Sequence, residues 1–121
     1  MRILVCGGRE YTDWDAFNDA LYWICSKIGD GAKETTIISG KARGADSLAI
    51  RFAHEYGTNL ECYPADWESY GKAAGFIRNQ QMLDDGKPDR VVAFPGGRGT
   101  ADMIRRSHKA GVEVTVVGED N

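Results

Sequence analysis

No apolar run in this chain approaches the roughly 20 residues that a membrane-spanning helix needs, so neither a transmembrane segment nor a membrane partner is expected. The opening Met1-Arg2-Ile3-Leu4-Val5-Cys6 is too short for a signal peptide and runs directly into glycines. It reads as a first strand and implies a cytoplasmic location. Cysteine is scarce: Cys6, Cys25 and Cys62 have neither close pairing nor metal spacing, which argues against a disulfide framework or a zinc cluster. They read as free thiols in a reducing compartment, and no metal or cofactor is expected. Histidine is scarcer, and neither His54 nor His108 has a nucleophile near it in the motif pattern. Excess positive charge is missing too. With 15 Lys and Arg against 18 Asp and Glu, the net charge of −3 argues against a general nucleic-acid coat. There is no linker, repeat or low-complexity tract, so residues 1–121 form one domain.

What is present is a regular alternation. Arg2 to Cys6, Thr35 to Ser39, Asn59 to Tyr63, Arg90 to Phe94 and Val112 to Val117 read as short strands. Between them lie helical stripes. The first has Thr12-x-x-Asp15 as a capping box, apolar positions Trp14, Phe17, Leu21, Ile24, Cys25 and Ile28, and Gly29-Asp30-Gly31 as its stop. The second carries Ala45, Leu48, Ala49, Phe52, Ala53 and Tyr56 and ends at Gly57. A third runs from about Ser69 to Leu83, and a fourth turns Met103, Ile104 and Ser107 inward and stops at Gly111. This pattern predicts a single α/β domain of three layers, a five-stranded, mostly parallel sheet with helices on both faces, for which the doubly wound strand order is 3-2-1-4-5.

Every glycine-rich or basic motif follows the carboxyl end of a strand: Gly7-Gly8-Arg9, Gly40-Lys41-Ala42-Arg43-Gly44-Ala45-Asp46, Asp66-Trp67, and Pro95-Gly96-Gly97-Arg98-Gly99-Thr100. In the order 3-2-1-4-5 the first and fourth strands are neighbours where the chain reverses direction, and ligands bind in the crevice above that reversal. Glycines admit close backbone approach, and a helix start offers unpaired N–H groups to an anion. A simple turn explains one such loop; Gly96, Gly97 and Gly99 together favour phosphate. Thr100 is expected to cap its helix and to hold a phosphate oxygen. Gly40 to Gly44 lacks the spacing and the Lys-Ser/Thr of a Walker motif, which disfavours ATP hydrolysis of that type. Lys41 and Arg43 can still pair with phosphate. Arg78-Asn79 reads as either a solvent-facing pair or a binding pair. Asp66-Trp67 reads as either a ribose contact with a stacking platform or a turn acid with a core-edge indole.

Together these residues resemble the SLOG superfamily, the Rossmann-like group that includes LOG phosphoribohydrolases and the single-strand DNA-binding DprA/Smf proteins. The loop from Pro95 to Thr100 looks like that superfamily's hallmark. Gly7-Gly8-Arg9, Ser39-Gly40 with Gly44-Ala45-Asp46, and Arg78-Asn79 look more like its YspA/cpYpsA-related branch, common in phages and other mobile elements. The resemblance runs from Ile3 to Val117 and implies a nucleotide-like ligand; relatives often pair through helices, which leaves a homo-oligomer open. The LOG pattern continues Pro-Gly-Gly-x-Gly-Thr-x-x-Glu, with its glutamate implicated in catalysis, and Met103 stands at that position here. Methionine cannot stabilise an oxocarbenium-like state.

The leading expectation is therefore binding of a nucleotide-derived small molecule, for sensing or sequestration. Phosphate would lie on Gly96, Gly97, Gly99 and Thr100, with Gly7, Gly8 and Arg9 as the facing wall and Lys41, Arg43 and Arg78 neutralising charge. The alternative is N-glycoside hydrolysis using Asp46, Asp66 or Asp102 as the replacement carboxylate. Single-stranded DNA binding is the third reading, disfavoured by the net negative charge.

Overall fold

The fold follows from which faces of the strands are apolar. In the computed structural model, which describes residues 1–29 and 31–118, the strands are β1 (Arg2–Cys6), β2 (Thr36–Ser39), β3 (Asn59–Cys62), β4 (Arg90–Ala93) and β5 (Glu113–Val116). All neighbours pair in parallel in the order β3-β2-β1-β4-β5, as the alternation predicts. The central strand β1 is apolar on both sides. Ile3 and Val5 join Ile37 and Val92 on one face, while Leu4 and Cys6 join Ile38, Val91 and Ala93 on the other. Alternate residues of a strand point to opposite faces, so such a strand needs cover on both.

One face is covered by α1 (Trp14–Ile28) and α2 (Ala45–Tyr56), through Phe17, Leu21 and Ile24 of the first and Ala45, Ala49, Phe52 and Ala53 of the second. The other is covered by α4 (Ala74–Gly86) and α5 (Arg98–Lys109), through Met82, Leu83 and Met103. The crossover from β3 to β4 changes faces, and this leaves the β1 and β4 loops side by side.

Four local expectations are corrected. The cap of α1 is Asp13, whose carboxylate accepts from the Ala16 amide at 3.1 Å; Thr12-x-x-Asp15 does not act as the box. The expected third helix is broken. A single turn, α3 (Trp67–Tyr70), precedes a 3-10 turn (Gly71–Ala73) and then α4. Gly71, at φ +55°, supplies the left-handed break. The strands other than β1 are each a residue or two shorter than expected. Finally, α5 begins at Arg98 with Gly97 as its cap residue, so Thr100 sits inside the first turn and is not the cap. Of the expected stop after α1, Gly29 donates back to the Cys25 carbonyl at 2.8 Å, and Asp30 lies outside the described residues.

Candidate functional site

Two loops meet at Gly8. Its amide donates to the Pro95 carbonyl at 2.8 Å, which joins the turn after β1 directly to the turn after β4. Its own carbonyl accepts from the Ala45 amide at 3.1 Å, which ties the start of α2 to the same point. The packing leaves no room for side chains. A Cβ on Gly96 would stand 2.6 Å from the Gly8 nitrogen and would also strike the Thr100 hydroxyl.

Above this junction lies a cleft of about 330 Å³. It is lined by Cys6, Gly7 and Gly8 from the end of β1, by Asp46 of α2, by Gly97, Arg98, Gly99 and Thr100 at the start of α5, and by Trp67, Lys72, Gly75 and Phe76 from the segment after β3. At the α5 end, the amides of the first turn have no partner within the helix, and no side chain caps them. Gly97 and Gly99 differ from Gly96: a Cβ on either would have nothing within 4 Å, and neither has a positive φ. Internal packing therefore does not require glycine at these two positions. Thr100 is 8% exposed, and its hydroxyl makes no hydrogen bond within the protein. No fully buried side-chain N or O among the described residues lacks a partner, so this hydroxyl is open to the cleft.

The cleft mixes Arg9, Lys72, Arg78 and Arg98 with a single carboxylate, Asp46. Burial pushes the Asp46 carboxyl up to about 6, against the opposing Ala42 amide and the charges of Arg78 and Arg9. Burial, with Arg9 nearby, lowers the Arg78 guanidinium, and Asp46 works the other way. Burial, then the Asp46 charge, pushes the Cys6 thiol up to about 12, which removes it as a nucleophile at neutral pH.

Arg78-Asn79 is not a solvent-facing pair. The two are 8% and 6% exposed. Arg78 Nη1 donates to the Gly40 carbonyl at 2.6 Å, and its Nε donates to Asn79 Oδ1 at 3.3 Å. Asn79 Nδ2 in turn donates to the Gly99 carbonyl at 3.2 Å and to Asp102 Oδ2 at 3.1 Å. Asp102 is also held by Arg105 and by Arg106, at 2.8 Å from the latter's Nε. This network fixes the start of α5 against α4.

The predicted residues separate accordingly. Gly7, Gly8, Arg9, Asp46, Trp67, Arg78, Asn79, Gly97, Arg98, Gly99 and Thr100 share the cleft. Gly40, Lys41 and Arg43 line an adjoining cleft of about 500 Å³, which shares Arg9, Ala42, Trp67 and Arg78 with the first. Gly44, Pro95 and Gly96 hold the loops together and lie outside both linings. Of the three candidate carboxylates only Asp46 reaches the cleft. Asp66 lines neither cleft; its side chain caps α3 by accepting from the Ser69 amide at 3.1 Å. Asp102 is spent on the network, and Met103 is fully buried in the core. Sequence reading left Cys6, Ala42, Lys72, Gly75, Phe76 and Met82 out of the site. The low-bulk run from Gly71 to Gly75 was the available signal for two of them.

A parallel sheet in this order, with glycine turns locked at its reversal, makes the protein a Rossmann-like α/β domain. Its fold matches that of DNA processing protein A (DprA) from Streptococcus pneumoniae with a TM-score of 0.75 at 16% identity, over 98% of this chain and 50% of that one. The chain thus spans half the length of that protein. The Gene 61 protein of Mycobacterium phage D29 is 39% identical over 129 aligned residues, covering 98% of this chain and 97% of its own. The profile of the YspA, cpYpsA-related SLOG family matches residues 1–70, and the chain belongs to this family. The matched span holds the β1 and β2 loops; the Pro95–Thr100 loop lies beyond it.

Proposed function

We propose that this protein binds a nucleotide or nucleotide-derived small molecule in the cleft, with phosphate on the amides of Arg98, Gly99 and Thr100. The observation that carries the reading is the Thr100 hydroxyl, nearly buried, unpaired and beside two glycines that internal packing does not need. Donors of this kind, with a helix dipole behind them, suit an anion. Arg98, Lys72 and Arg9 add positive charge. Trp67, 48% exposed with the Arg9 guanidinium 5.2 Å from its ring centre, offers a face for a base. Membership of the SLOG family and the fold shared with a protein named for DNA processing point the same way, toward nucleotide- or DNA-related work.

The test is calorimetric titration with inorganic phosphate, nucleoside mono- and diphosphates, NAD and ADP-ribose, with native mass spectrometry of the mixtures. Saturable binding of a nucleotide, recovered intact, supports the reading. No binding by any of them sinks it. Asp46 in the cleft keeps N-glycoside hydrolysis as a second reading, and released free base in the same spectra would favour it. Affinity that climbs with oligonucleotide length and collapses with salt would instead favour single-stranded DNA.

A further inference from the structure

Phosphate binding leaves one group in the cleft unused. Asp46 lies in the first turn of α2 and is 8% exposed. Its Oδ2 accepts from the Ala42 amide at 3.2 Å, and its main-chain carbonyl accepts from Ser39 Oγ at 3.0 Å, so the side chain is held in place. Oδ1 has no hydrogen bond within the protein, and it is open to the cleft. Arg78 and Arg9 attract the carboxylate through space without forming an ion pair with it.

An ionised carboxylate accepts hydrogen bonds, donates none and repels phosphate. It therefore selects for a ligand group bearing O–H or N–H. The strand order sets the direction. The start of α2 follows β2 and the start of α5 follows β4, with β1 between them. Two strand spacings are about 10 Å. A nucleotide lying over Gly7 and Gly8, with phosphate at α5, brings its sugar toward Asp46 and leaves Trp67 for the base.

We infer that Asp46 reads the sugar hydroxyls, so that the ligand is a ribonucleotide and its 2′-deoxy counterpart is rejected. The inference rests on the phosphate reading above and adds the sugar to it.

The experiment titrates the chain with ADP, GDP, CDP and UDP, each beside its 2′-deoxy form. At least one ribonucleotide is expected to bind about tenfold or more tightly than its deoxy partner, the scale of a charge-assisted hydrogen bond. Asp46→Asn leaves an oxygen for the Ala42 amide and turns an NH2 group toward the cleft. It should bring the pair within about twofold by weakening the ribonucleotide, with a thermal melt confirming the fold. Gly97→Asp should weaken both sugars alike. Equal affinities in the unaltered chain, or discrimination that survives in both Asp46→Asn and Asp46→Ala, overturns the inference and leaves the phosphate reading standing. So does selectivity that follows the exocyclic amine, tested with IDP against ADP, in place of the sugar. Binding by none of the eight nucleotides overturns the inference, and the phosphate reading falls with it only when inorganic phosphate, nucleoside monophosphates, NAD and ADP-ribose also fail to bind.

Discussion

Arg78 reaches across 38 residues of sequence to donate its Nη1 to the Gly40 carbonyl, 2.6 Å away. The contact joins α4 to the loop after β2, and the two glycine-bearing sides of the sheet's end are held by it. Removing the guanidinium leaves the Gly40 carbonyl and Asn79 Oδ1 each short of a donor. Arg78→Met should therefore destabilise the fold by about 2–4 kcal/mol, measured by urea unfolding. A loss below about 0.5 kcal/mol would show that water replaces the contact without penalty. Gly40→Ala attacks the same contact from the other side, since a Cβ there would stand 2.5 Å from Arg78 Nη1 and 2.9 Å from Asp46 Oδ2.

Asp46 is expected to weaken the fold at neutral pH. Its carboxyl keeps its proton to about pH 6 in the native state and loses it near its ordinary value of 3.8 when unfolded. Between those limits the native state holds more protons, so this residue's contribution to stability falls as pH rises from about 4 through 6. The linked free energy is on the order of 3 kcal/mol. Some of it returns in a neutral variant, because Arg78 loses an attractive neighbour. Asp46→Asn should raise stability at pH 7.5 by about 1–2 kcal/mol and flatten the decline across that window. Unfolding curves collected between pH 4 and 8 measure both. An unchanged pH profile would show that the carboxylate is not buried as described.

The two kinds of glycine in the β4 loop should separate cleanly. A Cβ at Gly97 would have no atom within 4 Å, so Gly97→Asp should leave the unfolding midpoint nearly unchanged, while its charge at the start of α5 removes anion binding. Gly96→Ala should do the reverse damage, because its Cβ collides with the Gly8 amide. A loss of about 2 kcal/mol or more is expected there. Thermal melts with parallel nucleotide titration decide the matter, and equal destabilisation by both substitutions would contradict the packing.

Asn79 makes both of its Nδ2 contacts at the start of α5. Asn79→Ala should cost about 1–3 kcal/mol, because the Gly99 carbonyl and the Asp102 carboxylate each lose a donor. Hydrogen exchange should rise in the first turn of α5 more than in β1. Uniform exchange changes would show that the network does not hold that turn.

Much of the architecture is legible in the chain because it depends on short-range periodicity. Ile3 to Val5 is apolar without interruption, which a strand covered on both faces requires, and the Ala45 to Tyr56 stripe has the spacing of one helical face. The errors fall where local signals compete. Thr12 and Asp13 are both good caps, and only the approach of the chain to α1 selects Asp13. Gly71 and Gly75 look alike in sequence, yet only Gly71 takes positive φ. Of three plausible carboxylates, spacing could not say which one reaches the cleft.

By itself, the sequence determined the alternation of elements, the parallel sheet and the placement of glycine turns at strand ends, since each is encoded within a few consecutive residues. The tertiary structure alone decided that Arg78 and Asn79 are buried, that Asp102 braces a helix, and that Asp46 and Thr100 face one hollow. Those outcomes depend on contacts between residues about 20 to 40 positions apart, such as Asn79 with Asp102 and Arg78 with Gly40. Such pairings are set only when the strands lie in register and the crossover after β3 brings α4 over the far face of the sheet.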